Sequence, residues 1–236
     1  MKEAELTEGL LKNIESRKAL IRQNLLEWEG HHFRDFPWRK NRTPYSVLVA
    51  EVLLKRTTAT AANRVYAEFM ARFPNLETLR TADSTKLEGI LRKIGYHKRR
   101  TNILVEMSSF ILKRYGGKIP KSKEELLNIP HVGYYTANAV LTFGYGIPTA
   151  IVDSNVARII GRLFLNNLSK RPSTQMFQRI ADSLSSKENN DCYNYALLDI
   201  GALVCRYSIP KCEVCPLKSV CDYSSSVRAL ARVGGT

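Results

Sequence analysis

The sequence predicts an all-α protein. Typical helix starts recur along the chain, and apolar residues recur at helical spacing after them. No segment alternates convincingly between apolar and polar residues as a half-buried strand would, and no repeat or low-complexity tract stands out. With 236 residues and 44% hydrophobic content, the chain can bury one large core or two small ones.

The first helix start lies at Thr43. Threonine is a common N-cap, and Pro44 behind it suits the first position of a helix. This start predicts helical structure through the segment that follows, YSVLVAEVLLKRTTATAANRVYAEFMARF.

A second helix start lies at Ser122. Glu125 follows three residues later, and this capping-box pattern opens a short helix through Leu127. The residues IPHVG break that helix at Pro130 and Gly133, before YYTANAVLTFGYG resumes helical spacing. The sequence therefore predicts a helix, a glycine-containing hairpin and a second helix.

Such a hairpin has two interpretations. Its free amides and the N-terminus of its second helix can face a phosphate group without contacting a base. A plain helical corner fits the same residues equally well.

The charge balance indicates a polyanionic partner. Lys and Arg number 36 against 22 Asp and Glu, so the formal net charge is +14. Nucleic acid is the commonest polyanion, and a solvated basic surface without a specific partner is the alternative. The N-terminal residues MKEAELTEGLLKNIESRK lack the order of a secretion signal, and no apolar run reaches the about 18 residues of a membrane span. We therefore expect a cytoplasmic protein, nucleoid-associated in a prokaryote, with no membrane partner.

Four of the five cysteines, Cys205, Cys212, Cys215 and Cys221, lie in the stretch CRYSIPKCEVCPLKSVC. Two disulfides, a zinc site or an iron–sulfur cluster could use them, and a reducing cytosol argues against the disulfides. Zinc sites usually have two close cysteine pairs, whereas only 212 and 215 form one here, so the spacing slightly favours a [4Fe–4S] cluster. We expect the fifth cysteine, Cys192, to be a small buried apolar side chain.

Two carboxylates are candidates for catalysis. Glu51 lies in VLVAEVLL, where every other residue is apolar, so its carboxylate must be desolvated or paired. A general acid is one interpretation, and a surface glutamate bonded to Arg56 is the other. Asp153 lies in AIVDSNVARIIGRLF, just before an amphipathic helix. It can be an ordinary N-cap, and it can also point a carboxylate at a sugar that develops positive charge.

Three motifs in order resemble a known family. IPHVGYYTANAV, IVDSNVARI and the terminal cysteine spacing are similar to the helix-hairpin-helix DNA glycosylases of the endonuclease III superfamily that carry a [4Fe–4S] cluster. The resemblance runs from about Phe33 to Cys221. It favours the cluster over zinc at the four cysteines.

The resemblance also implies the architecture. A six-helix barrel with the hairpin would occupy 34–147, and 1–33 with 148–236 would form a discontinuous helical domain that holds the cluster. Double-stranded DNA with a mismatched or damaged base would bind in the cleft between the domains of a monomer, with the target nucleotide flipped out.

The residue after HVGY separates mechanisms within this family. Members that resemble endonuclease III have lysine there, which forms a Schiff base with the sugar and leads to strand cleavage. Tyr135 of this chain cannot form one, so the resemblance implies a monofunctional enzyme without efficient AP-lyase activity.

Two monofunctional branches resemble RDFPWRKNRTPYSVLVAEVLL, namely adenine glycosylases and archaeal-type thymine mismatch glycosylases. Adenine glycosylases typically have glutamines where this chain has KRTTA, from Lys55 to Ala59, and tyrosine at Tyr135 also matches the thymine branch. Adenine glycosylases usually continue into a further domain, whereas this sequence ends fifteen residues after Cys221. We expect thymine or uracil opposite guanine as the substrate, with adenine opposite 8-oxoguanine or guanine as the alternative.

The resemblance implies a role for each matching residue. Asp153 would stabilise the oxocarbenium-like sugar and orient water, and Glu51 would bind the base or the water. Tyr135 would pack against the flipped pyrimidine. The residues expected at the DNA are Lys55, Arg56, His131, Gly133, Tyr134 and Asn155.

Two residues depart from the family pattern. His131 replaces the glycine usual in the PGVG hairpin, and Ser154 replaces a glycine often found after the aspartate.

The cluster would tie down a loop with three cations, Arg206, Lys211 and Lys218, without redox chemistry. A rival outside enzymes is a protein that binds mismatched DNA and recruits others, but such a protein has no need of Glu51 and Asp153.

Overall fold

The computed structural model describes residues 3–165 and 172–226, with side chains from residue 8 onward. The described residues form helices and turns without a strand, which confirms the all-α prediction. The α-helices are α1 (Glu3–His32), α2 (Pro37–Lys40), α3 (Pro44–Leu54), α4 (Ala59–Arg72), α5 (Leu76–Arg80), α6 (Ser84–Leu91), α7 (His97–Tyr115), α8 (Lys123–Leu127), α9 (Tyr134–Ala139), α10 (Ser154–Phe164), α11 (Thr174–Leu184) and α12 (Asn190–Leu203). Among these helices, none is long and apolar enough to cross a membrane.

The chain divides into two compact units. The first unit combines Met1–Arg34 with Pro148–Thr236, and the second unit is Asp35–Ile147. The sequence-based ranges 1–33 and 148–236 include 1–2, 166–171 and 227–236, which lie outside the described residues.

The first unit is built on α1. Its residues Ile14, Ile21, Leu25 and Trp28 recur at helical spacing and are buried in one cluster with residues of α10, α11 and α12, and α1 packs directly on α11 and α12. Each fully buried leucine or isoleucine contributes about 1.5–3 kcal/mol through removal of apolar surface from water. The first and last parts of the chain therefore share one hydrophobic core.

The second unit surrounds α3, which is buried from Ser46 to Leu53. Thr43 caps this helix with a hydrogen bond from the Ser46 backbone, and Pro44 takes its first position, as the sequence predicts. A π-helical turn, Val140–Gly144, packs on α3 so closely that a Cβ at Gly144 would lie 2.8 Å from the Pro44 Cα. The long helix α7 packs on α5 and α6.

The expected continuous helix after Thr43 is wrong in one place. The helix ends at Leu54, and α4 begins at Ala59 with Thr58 as its N-cap. The buried Arg100 guanidinium explains the break, because it donates to the carbonyl oxygens of Val52 and Lys55. These carbonyls would otherwise accept intrahelical bonds from the next turn.

The predicted hairpin is present. Ser122 accepts a hydrogen bond from the Glu125 backbone and so caps α8, and the turn returns the chain to α9 with Gly133 at its N-cap. Short backbone bonds, from Ile129 to Leu126 and from Val132 to Ile129, hold the turn.

Candidate functional site

Glu51 lies on the buried face of α3. Only 8% of its surface is exposed, as expected for a carboxylate inside an apolar run. Its negative charge raises the pKa of Lys55, one turn later, against the larger effect of desolvation, which lowers it. The buried carboxylate and the amine at the end of α3 therefore interact electrostatically.

Lys55 connects α3 to the hairpin. Its Nζ donates a hydrogen bond to the His131 carbonyl oxygen over 3.1 Å. Desolvation lowers the pKa of Lys55, and the positive charges of Arg99 and Arg100 lower it further. A concentration of positive charge thus lies where α3 meets the hairpin turn.

His131 occupies the position where the family pattern has glycine. Its φ of 65° lies in the left-handed region, which glycine adopts without strain and other residues rarely adopt. Its Nε2 lies 2.6 Å from a carboxylate oxygen of Glu106 on α7. Gly133 has a φ of −104°, and a Cβ added there would meet no atom within 4 Å, so neither its conformation nor its packing in the protein requires glycine.

Tyr134 and Tyr135 follow the hairpin turn at the start of α9. Tyr134 is 68% exposed, whereas Tyr135 is half-buried. The backbone amides in the first turn of a helix have no intrahelical acceptor, so this turn can offer donors to an anion. The exposed tyrosine and these amides belong to one continuous surface segment.

Sequence reasoning missed a partner of Arg56. The Arg56 guanidinium lies over the ring of Tyr96, 4.8 Å from its centroid, and Tyr96 is half-exposed. Both residues have positive φ, 53° and 51°. Arg100 bonds to both loops, through Lys55 and Gly95. Only the long-range fold brings these residues together, so no local pattern could have revealed the pair.

Asp153 is the N-cap of α10 in the first unit. One carboxylate oxygen accepts from the Val156 amide over 2.7 Å, and the other accepts from the Asn155 side chain over 2.9 Å. The aspartate is half-buried. Both oxygens are thus held in fixed directions, while the carboxylate remains accessible.

A chain of hydrogen bonds extends from Asp153 to the first cysteine. The Asn155 side-chain oxygen accepts from Arg158 over 2.8 Å, and Arg158 also donates to the backbone oxygens of Gly201 and Cys205. Arg158 therefore links the segment around the aspartate to the cysteine segment, which sequence reasoning did not anticipate.

Gly201 allows this arrangement to pack. A Cβ at this position would lie 2.6 Å from the Cβ of Asn155, closer than any real contact. The absence of a side chain at Gly201 therefore fixes where the Asn155 side chain can lie.

The four clustered cysteines line one pocket. Its other lining residues are Arg162, Val204, Pro210, Lys211, Lys218, Tyr223 and Ser224. No group of three or more His, Cys, Asp or Glu side chains in 3–165 and 172–226 is arranged to hold a single metal ion. Four thiols around one pocket are a donor set that a [4Fe–4S] cluster can use.

Burial makes the thiols of Cys212, Cys215 and Cys221 hard to ionise. Desolvation, with a further contribution from the neighbouring thiols, raises the pKa of Cys215 to about 11. Desolvation is also the largest cause of the raised pKa of Cys212 and Cys221. Metal binding supplies the positive charge that such thiolates need, and it releases their protons.

Arg162 lies beside the cysteine pocket. It donates to the Cys205 sulfur over 3.2 Å and to the carbonyl oxygen of Arg206, and its guanidinium lies over the ring of Tyr223. Lys218 forms an ion pair with Glu213.

Cys192 is partly exposed, so the expectation of a buried side chain is wrong. Its neighbour Tyr193 is buried in the core of the first unit instead.

The structure thus forms two groups of predicted residues, one in each unit. In the second unit, Lys55 contacts His131 and interacts with Glu51. In the first unit, Asp153 and Asn155 connect through Arg158 to Cys205.

The comparisons with known proteins place the chain in a family. The model of the HhH-GPD superfamily of base excision DNA repair proteins matches residues 49–185. The chain is 37% identical over 216 residues to a thymine-DNA glycosylase of Aeropyrum pernix, covering 88% of this chain and 95% of that protein. It is 32% identical to an adenine DNA glycosylase of Buchnera aphidicola, covering 84% of this chain and 57% of that protein.

A solved structure agrees with this result. The structure of a thermostable thymine-DNA glycosylase superposes with a TM-score of 0.84 at 29% identity, covering 90% of this chain and 98% of that one. The chain belongs to the HhH-GPD superfamily of base excision DNA repair proteins.

Proposed function

We propose that this protein is a monofunctional DNA glycosylase that hydrolyses the N-glycosidic bond of thymine or uracil mispaired with guanine. The observation that carries the proposal is the Asp153 carboxylate, which two hydrogen bonds hold at the start of α10. The similarity to a thymine-DNA glycosylase over 95% of its length supports the choice of base. Uracil lacks only the methyl group of thymine, and its glycosidic bond breaks at the same ring nitrogen.

Asp153 would act on the sugar. As the glycosidic bond lengthens, positive charge develops on the ring, and a nearby fixed carboxylate stabilises it without reorganisation. Asn155 is predicted to bind DNA, but its amide bonds inside the protein to Asp153 and Arg158. We therefore assign Asn155 the task of orienting the aspartate.

Glu51 would act on the base or on the attacking water. A buried carboxylate can hydrogen-bond a pyrimidine that has left the duplex, where water would otherwise compete. Glu51 also interacts with Lys55, whose amine bonds to the hairpin at His131, so the proposed base site is connected to the hairpin.

Tyr135 determines the product. A phenol cannot form the Schiff base that a lysine would form with the sugar, so the reaction would end at an abasic site. The half-buried tyrosine ring offers an apolar face for the flipped pyrimidine.

The second unit would bind double-stranded DNA through the hairpin. Gly133 and Tyr134 present backbone donors and an exposed ring, and Lys55 and Arg56 lie at the adjoining end of α3. Contacts of this kind read the phosphate backbone rather than sequence. A mismatched base unstacks at lower cost, which contributes to selectivity. We expect the protein to act as a monomer.

We infer that Cys205, Cys212, Cys215 and Cys221 would hold a [4Fe–4S] cluster. The cluster would cross-link the segment structurally and take no part in base release. The chain's own residues around it, Arg162 and Lys211, would present positive charge.

A second candidate is an adenine DNA glycosylase, which the similarity to the Buchnera protein favours. The chain spans 57% of the length of that protein, so similarity covers only part of it.

The test is single-turnover base release from end-labelled duplexes that contain T·G, U·G or adenine opposite 8-oxoguanine, each read with and without alkali. Strand cleavage at T·G or U·G that requires alkali supports the proposal. Cleavage at T·G without alkali would contradict the monofunctional mechanism, and cleavage only at adenine would favour the second candidate. Binding without base release from any duplex would favour a non-catalytic mismatch-binding protein.

A further inference from the structure

The hairpin turn contains a residue whose backbone conformation needs support. His131 has a φ of 65° at the top of the turn. Histidine is more tolerant of this region than most residues, but only glycine adopts it freely. The turn between α8 and α9 would therefore relax toward other conformations unless its surroundings hold it.

Two side chains from other helices hold His131. Lys55, at the end of α3, donates to its carbonyl oxygen over 3.1 Å. Glu106, on α7, places a carboxylate oxygen 2.6 Å from its Nε2. A neutral imidazole with its proton on Nε2 and an imidazolium can both donate this bond. The backbone and the ring of one residue are thus held from two directions.

Glu106 is held in position by its helix. Its neighbours on α7, Ile103, Leu104 and Met107, are buried, so the helix cannot slide or rotate easily. The Glu106 side chain itself is 58% exposed. A carboxylate on an exposed surface beside a DNA-binding turn repels phosphate groups, so electrostatics alone disfavours glutamate there.

We propose that Glu106 is a positioning residue for DNA binding, because its carboxylate holds His131 and so keeps the hairpin turn in the conformation that meets the DNA backbone. This inference rests on the proposed binding of DNA by the hairpin. Glycine would adopt the positive φ of this position without support. The bond with Glu106 offsets the strain of having histidine there.

The proposal and simple electrostatics predict opposite effects of removing this charge. Glu106→Ala loses the bond to His131, so the turn loosens and DNA affinity falls. Glu124→Ala removes the same charge from the exposed first turn of α8, next to the same hairpin, and serves as the matched control. Electrostatics alone predicts equal or tighter DNA binding for both variants.

His131→Gly provides the second comparison. Glycine adopts the left-handed conformation without strain, so the turn no longer needs the carboxylate. The loss caused by Glu106→Ala should therefore disappear in the double variant with His131→Gly.

The experiment measures hydrogen–deuterium exchange of the hairpin amides in the free protein and the Kd for a T·G duplex. For Glu106→Ala we expect exchange at residues 131–134 and the Kd to rise about three- to tenfold, the range for loss of one ordering hydrogen bond. We expect no such rise for Glu124→Ala or, on the glycine background, for Glu106→Ala. Unchanged exchange in Glu106→Ala, or an equal effect on both backgrounds, would overturn the proposal. If the wild-type protein binds no duplex, the proposed function fails, while faster exchange in Glu106→Ala still supports the positioning role.

Discussion

The hairpin of the second unit and the cysteine segment of the first unit, residues 205–221, are held in different ways. Local bonds start the hairpin, since the cap at Ser122 and the turn at Ile129 span three residues each, and contacts from Lys55 and Glu106 support it at the single residue His131. The cysteine segment has only two short 3₁₀ turns, Cys212–Val214 and Lys218–Val220.

Long-range bonds hold the cysteine segment. Arg17 on α1 donates to the Val220 carbonyl and the Asp222 carboxylate, and Asn24 on α1 donates to the Pro216 carbonyl. Arg158 on α10 donates to the Cys205 carbonyl. The comparison shows that a segment with little regular structure depends on helices far away in sequence.

The largest expected effect is at a proposed ligand of the [4Fe–4S] cluster. Cys212→Ser should lose the iron and the visible absorption of the cluster, and with them the solubility of the protein, because the free energy of metal binding is also free energy of folding. Iron content, absorbance and soluble yield measure this effect. Cys192→Ser, on α12 outside the segment, is the control. A soluble, iron-free and active Cys212→Ser protein would show that long-range hydrogen bonds alone suffice.

The next largest effect is expected at Arg17, which connects α1 to the end of the cysteine segment. Arg17→Met should destabilise the first unit by about 2–3 kcal/mol, because it leaves a carboxylate and a carbonyl without their donor. It should also accelerate iron loss to a chelator. Arg22→Met removes a guanidinium that donates to Leu184 and Ser185, so it should leave iron loss unchanged. Equal iron loss from both variants would contradict a specific role of Arg17.

A smaller effect is expected beside Asp153. Gly201→Ala should cost about 1–3 kcal/mol, because its Cβ would overlap the Asn155 side chain and displace it. Base release should slow while DNA affinity stays unchanged. Gly161→Ala is the control, since its Cβ would lie 3.9 Å from Phe177 in ordinary contact. Wild-type base release in Gly201→Ala would contradict the orienting role of Asn155.

The smallest effect is at the hairpin cap. Ser122→Ala should destabilise the second unit by about 1 kcal/mol, because it removes the acceptor for the Glu125 amide. Thermal unfolding measures the loss, and iron content should not change. Ser84→Ala, after the true cap Asp83, is the control. Iron loss from Ser122→Ala would contradict the expectation that the hairpin cap stabilises only the second unit.

Features that depend on neighbouring residues could be predicted from the sequence. Thr43, Ser122 and Asp153 all cap helices as their local patterns indicate. The burial of Glu51 follows from its apolar neighbours in the same way.

Features that depend on distant residues could not. The helix break after Leu54 depends on Arg100, which bonds to Val52 from 48 residues away. Arg158, which bonds to Asn155 and the Cys205 carbonyl, and Arg162, which bonds to the Cys205 sulfur, look like ordinary charged residues of an amphipathic helix. Only the packing of α10 against α12 gives them their contacts.

If the Asp153 carboxylate carries out base release, removal of its negative charge should stop the reaction and leave DNA binding intact. The most direct measurement compares wild-type protein and Asp153→Asn in single-turnover release of thymine from a T·G duplex, with the Kd for the same duplex. Asparagine also caps helices well, so the fold should persist. For Asp153→Asn we expect a Kd within about twofold of wild type and a release rate lower by about 10²–10³ or more. Release from Asp153→Asn at the wild-type rate would contradict this role of the carboxylate.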